Sequence, residues 1–145
     1  MVYRPGDEGA DMFGLSQERQ ILMTQKVMQS LDDWGLSAAE QLSILNMPEG
    51  MRSRKLRSFH DDTPFPEDPD VEFRVVRLLG IIDALRTSYP KNPLMGGRWM
   101  KTPHKRFKNR TPLQTMLEEG NNGVTAVLAE LDCTYAWDLS GSMAK

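Results

Sequence analysis

The stretch RWMKTPHKRFKNRTPLQTMLEEG, residues 98–120, decides how this chain is read. Its second half spells out a helix start. Thr111 is placed as the N-cap, Pro112 takes the first helical position, and Gln114 lies three residues past the cap, where its side chain can return a hydrogen bond. Leu113, Met116 and Leu117 then face a core, and Gly120 closes the helix. The first half is a basic loop, residues 101–110, stiffened by Pro103. Basic loops usually meet nucleic acid, yet this chain has net charge −2. A stiff loop locked where it re-enters the fold is equally a preorganised protein-binding surface, and its charges suit an acidic rim on a partner. Lys101, His104, Lys105, Arg106, Phe107 and Arg110 are its candidate contact residues.

Downstream, NNGVTAVLAELDCTYAW predicts a helix with Val124, Val127, Leu128 and Leu131 on one side. Tyr135 and Trp137 follow the last of these leucines, either tucked onto the core or presented as interface anchors. Upstream, Asn92 can cap a helix running from Pro93 through Trp99, with Trp99 expected as a core anchor. Before that comes the strongest helix, VEFRVVRLLGIIDALRTSY, whose stripe is Val71, Val75, Leu78, Ile82, Leu85 and Tyr89. Val76, Leu79 and Ile81 spread its apolar surface further, as suits a core helix or a dimer interface. The acidic, proline-rich DDTPFPEDPD ahead of it reads as a linker.

The N-terminal part predicts three helices. One starts at Ser16 and ends at Gly35, with Ile21, Leu22, Met28 and Leu31 inward. Ser37 and Glu40 form a capping box for the second, with Leu42 and Leu45 inward. MRSRKLRSFH, residues 51–60, follows as a basic third helix. Helix, short turn and basic helix have the shape of a helix-turn-helix unit. Leu56 and Phe59 share its inner face, with Arg52 intruding on it. Ser53, Arg54, Lys55 and Arg57 are the candidate DNA contacts.

No period-two pattern persists, so the expected fold is all-α, a compact bundle of about eight short helices. Its expected parts are a flexible N-terminus at 1–15, the helix-turn-helix unit at 16–62, the linker and central helix at 63–90, and a C-terminal binding domain with its tail at 91–145. At 145 residues the chain can bury a core without staples. No apolar run reaches membrane-spanning length, and MVYRPGDEGADMFG lacks the plan of a signal peptide. With Cys133 alone, no intrachain disulfide forms, and the expected compartment is the cytoplasm. Phosphate loops, zinc motifs and nucleophile elbows are missing, and His60, His104 and Cys133 make no evident catalytic constellation. HDD at 60–62 reads as a solvated loop. The expectation is a non-enzyme that holds no metal or cofactor.

The residues Trp99, Thr102-Pro103, Phe107, Arg110-Thr111-Pro112-Leu113, Met116-Leu117, Gly120, Gly123, Leu131-Asp132-Cys133 and Trp137 together resemble the toxin-binding domain of the Xre/MbcA/ParS antitoxins. WGLSAAEQLSIL resembles the family's N-terminal Xre-like helix pair, and RVVRLLGIIDALRTSY its central helix, so the likeness runs over roughly residues 20–138. It implies an antitoxin of a bacterial type II toxin–antitoxin pair. The implied partner is a RES-domain toxin that consumes NAD, neutralised when the antitoxin's C-terminal segment covers its NAD site. It also implies a homodimer that represses its own operon by binding operator DNA. The toxin contacts would be the loop residues above with Tyr135 and Trp137. The sequence departs from the family at Asn46-Met47-Pro48, at Arg52, and in the tail SGSMAK. A stand-alone helix-turn-helix regulator without a toxin is the alternative.

Overall fold

A computed structural model of the chain describes residues 15–140, with the side chains of residue 93 and residues 133–140 outside that description. The described residues are all-α. The helices are α1 (Gln17–Asp33), α2 (Ala38–Ile44), α3 (Lys55–His60), α4 (Pro69–Ser88), α5 (Pro93–Met100), α6 (Pro112–Glu119) and α7 (Asn121–Ser140), with a 3-10 turn at Lys105–Phe107. The chain divides into two units, residues 1–76 and 77–145, with the boundary inside α4.

In the first unit the predicted caps form. The Ser16 side chain accepts from the Arg19 amide, and Ser37 and Glu40 make the reciprocal capping box of α2. Gly35 carries φ +78°, the left-handed geometry that ends α1. Val27, Met28, Leu31, Ile44, Leu45, Leu56, Phe59 and Phe65 are buried, and the Phe59 and Phe65 rings stand 5.1 Å apart. Leu22 departs from its predicted inward position and is 59% exposed. Thr24 is buried in this helix, because its hydroxyl accepts the Phe65 amide at 3.2 Å.

Two polar contacts hold this unit's helices in register. Asp32 receives the Gln41 amide at 2.7 Å and faces His60 Nε2 at 3.1 Å, linking α1, α2 and α3. His60 therefore ends a helix on an acid, where the sequence suggested a solvated loop. Arg74 of α4 is almost fully buried and donates to the Ser43 and Ile44 carbonyls at 3.2 and 3.0 Å. A cation at a helix C-terminus satisfies carbonyls that have no partner within the helix and complements the dipole. Burial lowers the Arg74 pKa, and nearby Asp70 opposes that shift.

The basic helix is shorter than its sequence suggests. It begins only at Lys55, and its N-cap, Arg54, makes no side-chain cap bond. Residues 45–54 separate it from α2. Helix-turn-helix units join their helices by a turn of about three or four residues, so this spacing does not reproduce that motif. Arg52 consequently lies ahead of the helix and is exposed, and it never intrudes on the Leu56–Phe59 face.

In the second unit α6 packs along α7, and α5 packs on α6. Leu78, Ile81, Leu85, Met100, Met116, Val124, Val127 and Leu131 are among its buried residues, with Ile81 rather than Ile82 fully inward on α4. Asn92 caps α5 by accepting the Leu94 amide at 3.1 Å. The Thr111–Gln114 box forms at α6, with bonds of 3.0 and 2.8 Å.

The α6–α7 turn depends on two glycines. Gly120 has φ +59°, a conformation L side chains rarely adopt. Gly123 is required for a different reason: a Cβ there would overlap the Thr115 carbonyl oxygen and lie 2.9 Å from Met116 Cα.

Candidate functional site

The loop at residues 101–110 is built from its ends inward. His104 and Arg110 face each other in an isolated antiparallel bridge, with the His104 amide donating to the Arg110 carbonyl at 3.1 Å. The Phe107 and Asn109 amides both return to the His104 carbonyl at 3.0 Å. Lys108 and Asn109 close the turn in the left-handed region, with φ of +58° and +64°. Asparagine tolerates that conformation and lysine does so at some cost, so the surrounding bonds enforce it.

The aromatic side chains tie the loop to α5. The Trp99 and His104 rings lie 4.9 Å apart, and Phe107 meets both edge-on at 6.5 and 6.2 Å. His104 Nε2 donates to the Trp99 carbonyl at 3.2 Å, which places the proton on that nitrogen. Phe107 is buried in this cluster, so it supports the loop from inside and offers a partner little surface. Trp99 is half-buried, braced against the loop rather than sunk in the core.

Arg110 is engaged within the fold. It donates to the Phe107 carbonyl at 3.0 Å, to Glu118 at 2.9 Å, and to Glu119. The hydrogen bonds to Glu119 and then Glu118 raise its pKa. These two acids, at the end of α6, are the clamp that fixes the loop. The planar fork of arginine reaches both carboxylates in a way lysine does not. Replacing Arg110 with Ala or Lys is expected to loosen the loop while leaving the helices intact. Amide exchange at His104 and Asn109 should rise sharply, with a fall of only a few degrees in the thermal midpoint. Unchanged protection at those two amides would show that the backbone bridge holds without the clamp.

The remaining predicted contacts are displayed. Lys101 and Lys105 are exposed, and Arg106 is exposed with a long ion pair to Glu130 at 3.6 Å. Lys108, absent from the sequence prediction, is exposed at the loop tip in its left-handed turn. Also missed were Leu94 and Met95, exposed on α5 at 83% and 36%. The side chains of Tyr135 and Trp137 lie outside the described residues. In the first unit Ser53, Arg54, Lys55 and Arg57 are all exposed. No group of three or more His, Cys, Asp or Glu among the described residues is arranged to hold a metal, and no described helix is long and apolar enough to cross a membrane.

The second unit thus presents a basic, aromatic-braced loop on a pair of packed helices. Residues 91–133 match the family described as the antitoxin Xre/MbcA/ParS C-terminal toxin-binding domain. The resemblance read from the sequence is therefore shown over α5, the loop, α6 and the core-forming part of α7. Residues 20–90, which carry the wider likeness, lie outside the match. Comparison with curated proteins and with solved structures gives no significant match.

Proposed function

We propose that this protein is the antitoxin of a type II toxin–antitoxin pair and neutralises a RES-type, NAD-consuming toxin by covering its active site. The observation that carries the reading is the match to a toxin-binding domain over the segment that contains the clamped loop. A toxin partner needs a surface that does not rearrange on binding, because ordering a loop costs affinity. On this reading Lys101, His104, Lys105, Arg106 and Arg110 form or brace that surface and Phe107 supports it, and Tyr135 and Trp137 are proposed as further toxin contacts. On this reading the antitoxin is not an enzyme, acts in the cytoplasm, and works as a homodimer. The test is co-expression with the product of the adjacent reading frame. Growth and NAD content should collapse with that product alone and recover when this protein is supplied. A neighbouring product that harms cells equally in its presence refutes the reading.

Autorepression by DNA binding belongs to the same proposal, supported by the exposed cluster Ser53, Arg54, Lys55 and Arg57. On this reading these exposed side chains contact the phosphate backbone. Changing Arg54 and Arg57 to Glu should weaken binding to the operon's own promoter DNA. It should also reduce the salt dependence by about one unit of slope per lost phosphate contact. Unchanged affinity and slope in a gel-shift titration would remove this segment from the DNA. Tight promoter binding with no toxic neighbour would favour a stand-alone regulator.

A further inference from the structure

The outward face of α5 has an apolar surface that its own fold does not use. Leu94 is 83% exposed and Met95 is 36% exposed, while the opposite face is satisfied by Met100, fully buried, and by Gly96, whose Cβ position lies 3.2 Å from the Leu85 Cβ. A leucine left this open next to a partly open methionine and a half-buried tryptophan forms a small contiguous apolar patch. Met95 and Trp99 are one helical turn apart, and Trp99 stacks on His104. The patch therefore adjoins the loop at residues 101–110 through Trp99.

The charged residues nearest the patch along the chain are of one sign. Between Asp83 and Glu118 the sequence has no acidic residue, while lysine and arginine recur. Arg98 shares the α5 face with Leu94, four residues on, and Lys91 lies just before the helix. Both are exposed, and neither has an acidic partner among the described residues. Lys105 and Lys108 continue the same sign on the loop.

We propose that Leu94 and Met95 are the apolar anchor of the toxin interface, and that they seat in an apolar pocket of the toxin rimmed by Asp and Glu. This deepens the toxin-neutralising reading and rests on it. Three arguments select the occupant. A nucleic-acid backbone offers charge but no apolar seat, so it leaves Leu94 unexplained. A second copy meeting this face by two-fold symmetry would set Arg98 and Lys91 against their own counterparts. A protein with an acidic rim satisfies both the patch and its collar, the arrangement of apolar centre and polar edge that stable interfaces show.

The experiment titrates the full-length protein against the purified product of the adjacent reading frame by calorimetry. Circular dichroism verifies the fold of each variant; both residues are exposed, so their substitution leaves the helices in place. Leu94→Asp with Met95→Asp should weaken binding roughly 30-fold or more, the size of an interface hot spot. Lys91→Glu with Arg98→Glu should slow association and remove much of its salt dependence. Wild-type affinity in the first variant, alongside loss in a Lys105→Glu/Lys108→Glu variant, overturns the anchor and leaves the toxin reading standing. A dimer that becomes monomeric with Leu94→Asp/Met95→Asp, at unchanged affinity for the neighbour, assigns the face to self-association and overturns the proposal. Wild-type protein that does not bind the neighbour at all overturns the toxin reading and the anchor together.

Discussion

Gly123→Ala is expected to disrupt the packing of α6 on α7 and, with it, the base that holds the loop. The added methyl would overlap the Thr115 carbonyl oxygen, and it would stand 2.9 Å from both Met116 Cα and the Thr115 carbonyl carbon. All three are backbone atoms of a helix, so no rotamer change relieves the contact. Either α7 moves away from α6 or the α6 backbone deforms, and both expose Met116, Val124 and Val127, which are now fully buried. Overpacking a core usually costs about 1–3 kcal/mol and more where the neighbour cannot yield, so a loss of ~3 kcal/mol or more is expected here. Against a typical total stability of roughly 5–15 kcal/mol, that is a large fraction. Gly80→Ala is the control. Its new methyl would meet only the end of the Leu128 side chain, at 3.1 and 3.3 Å, and that side chain can shift. Alanine also gains about 1 kcal/mol of helix propensity over glycine inside α4. Thermal unfolding should therefore show Gly80→Ala close to the parent protein and Gly123→Ala far below it. Equal midpoints for the two variants would mean that α6 and α7 do not approach as closely as described.

The caps show why part of this fold is legible in the sequence. Ser16, Ser37, Asn92 and Thr111 each receive a backbone amide two or three residues ahead, a relation that sequence alone contains. The all-α class follows from the same local code and from the helical spacing of Val71, Val75 and Leu78. What stayed hidden depends on which element packs against which. Nothing near Thr24 in sequence shows that its hydroxyl will receive the amide of Phe65. Nothing near Arg110 shows that Glu118 and Glu119 will close on it from the far end of α6. The basic run at 51–60 looked like one helix because arginine and lysine are good helix formers, yet without a capping side chain its first residues lie outside α3. The loop's place as a candidate site was legible from its proline, its charges and the capping box that follows it. Its exposed neighbours Leu94 and Met95 were not, because a short apolar run at a helix start reads as core until the opposite face is seen to be filled.

On the proposed toxin-neutralising reading, truncation after Cys133 is expected to abolish neutralisation while preserving the fold. The described core side chains of α7 include Val124, Val127 and Leu131, all on the retained side of the cut. The matched domain also ends at residue 133, although the α7 backbone continues as helix to Ser140. The retained chain keeps the Thr111 capping box, the Arg110 clamp and the whole loop. Helical content should fall only by the residues removed, and cooperative unfolding should persist. The removed segment carries Tyr135 and Trp137, aromatics of the type that dominate interface energetics. If that segment covers the toxin's NAD site, the shortened protein should still bind the neighbouring product through the loop and α5, but more weakly. It should no longer restore growth or NAD content on co-expression. Loss of protection with retained binding would assign docking to the loop and α5 and inhibition to the end of α7. A folded, truncated protein that protects cells fully would refute that division and place inhibition in the loop itself.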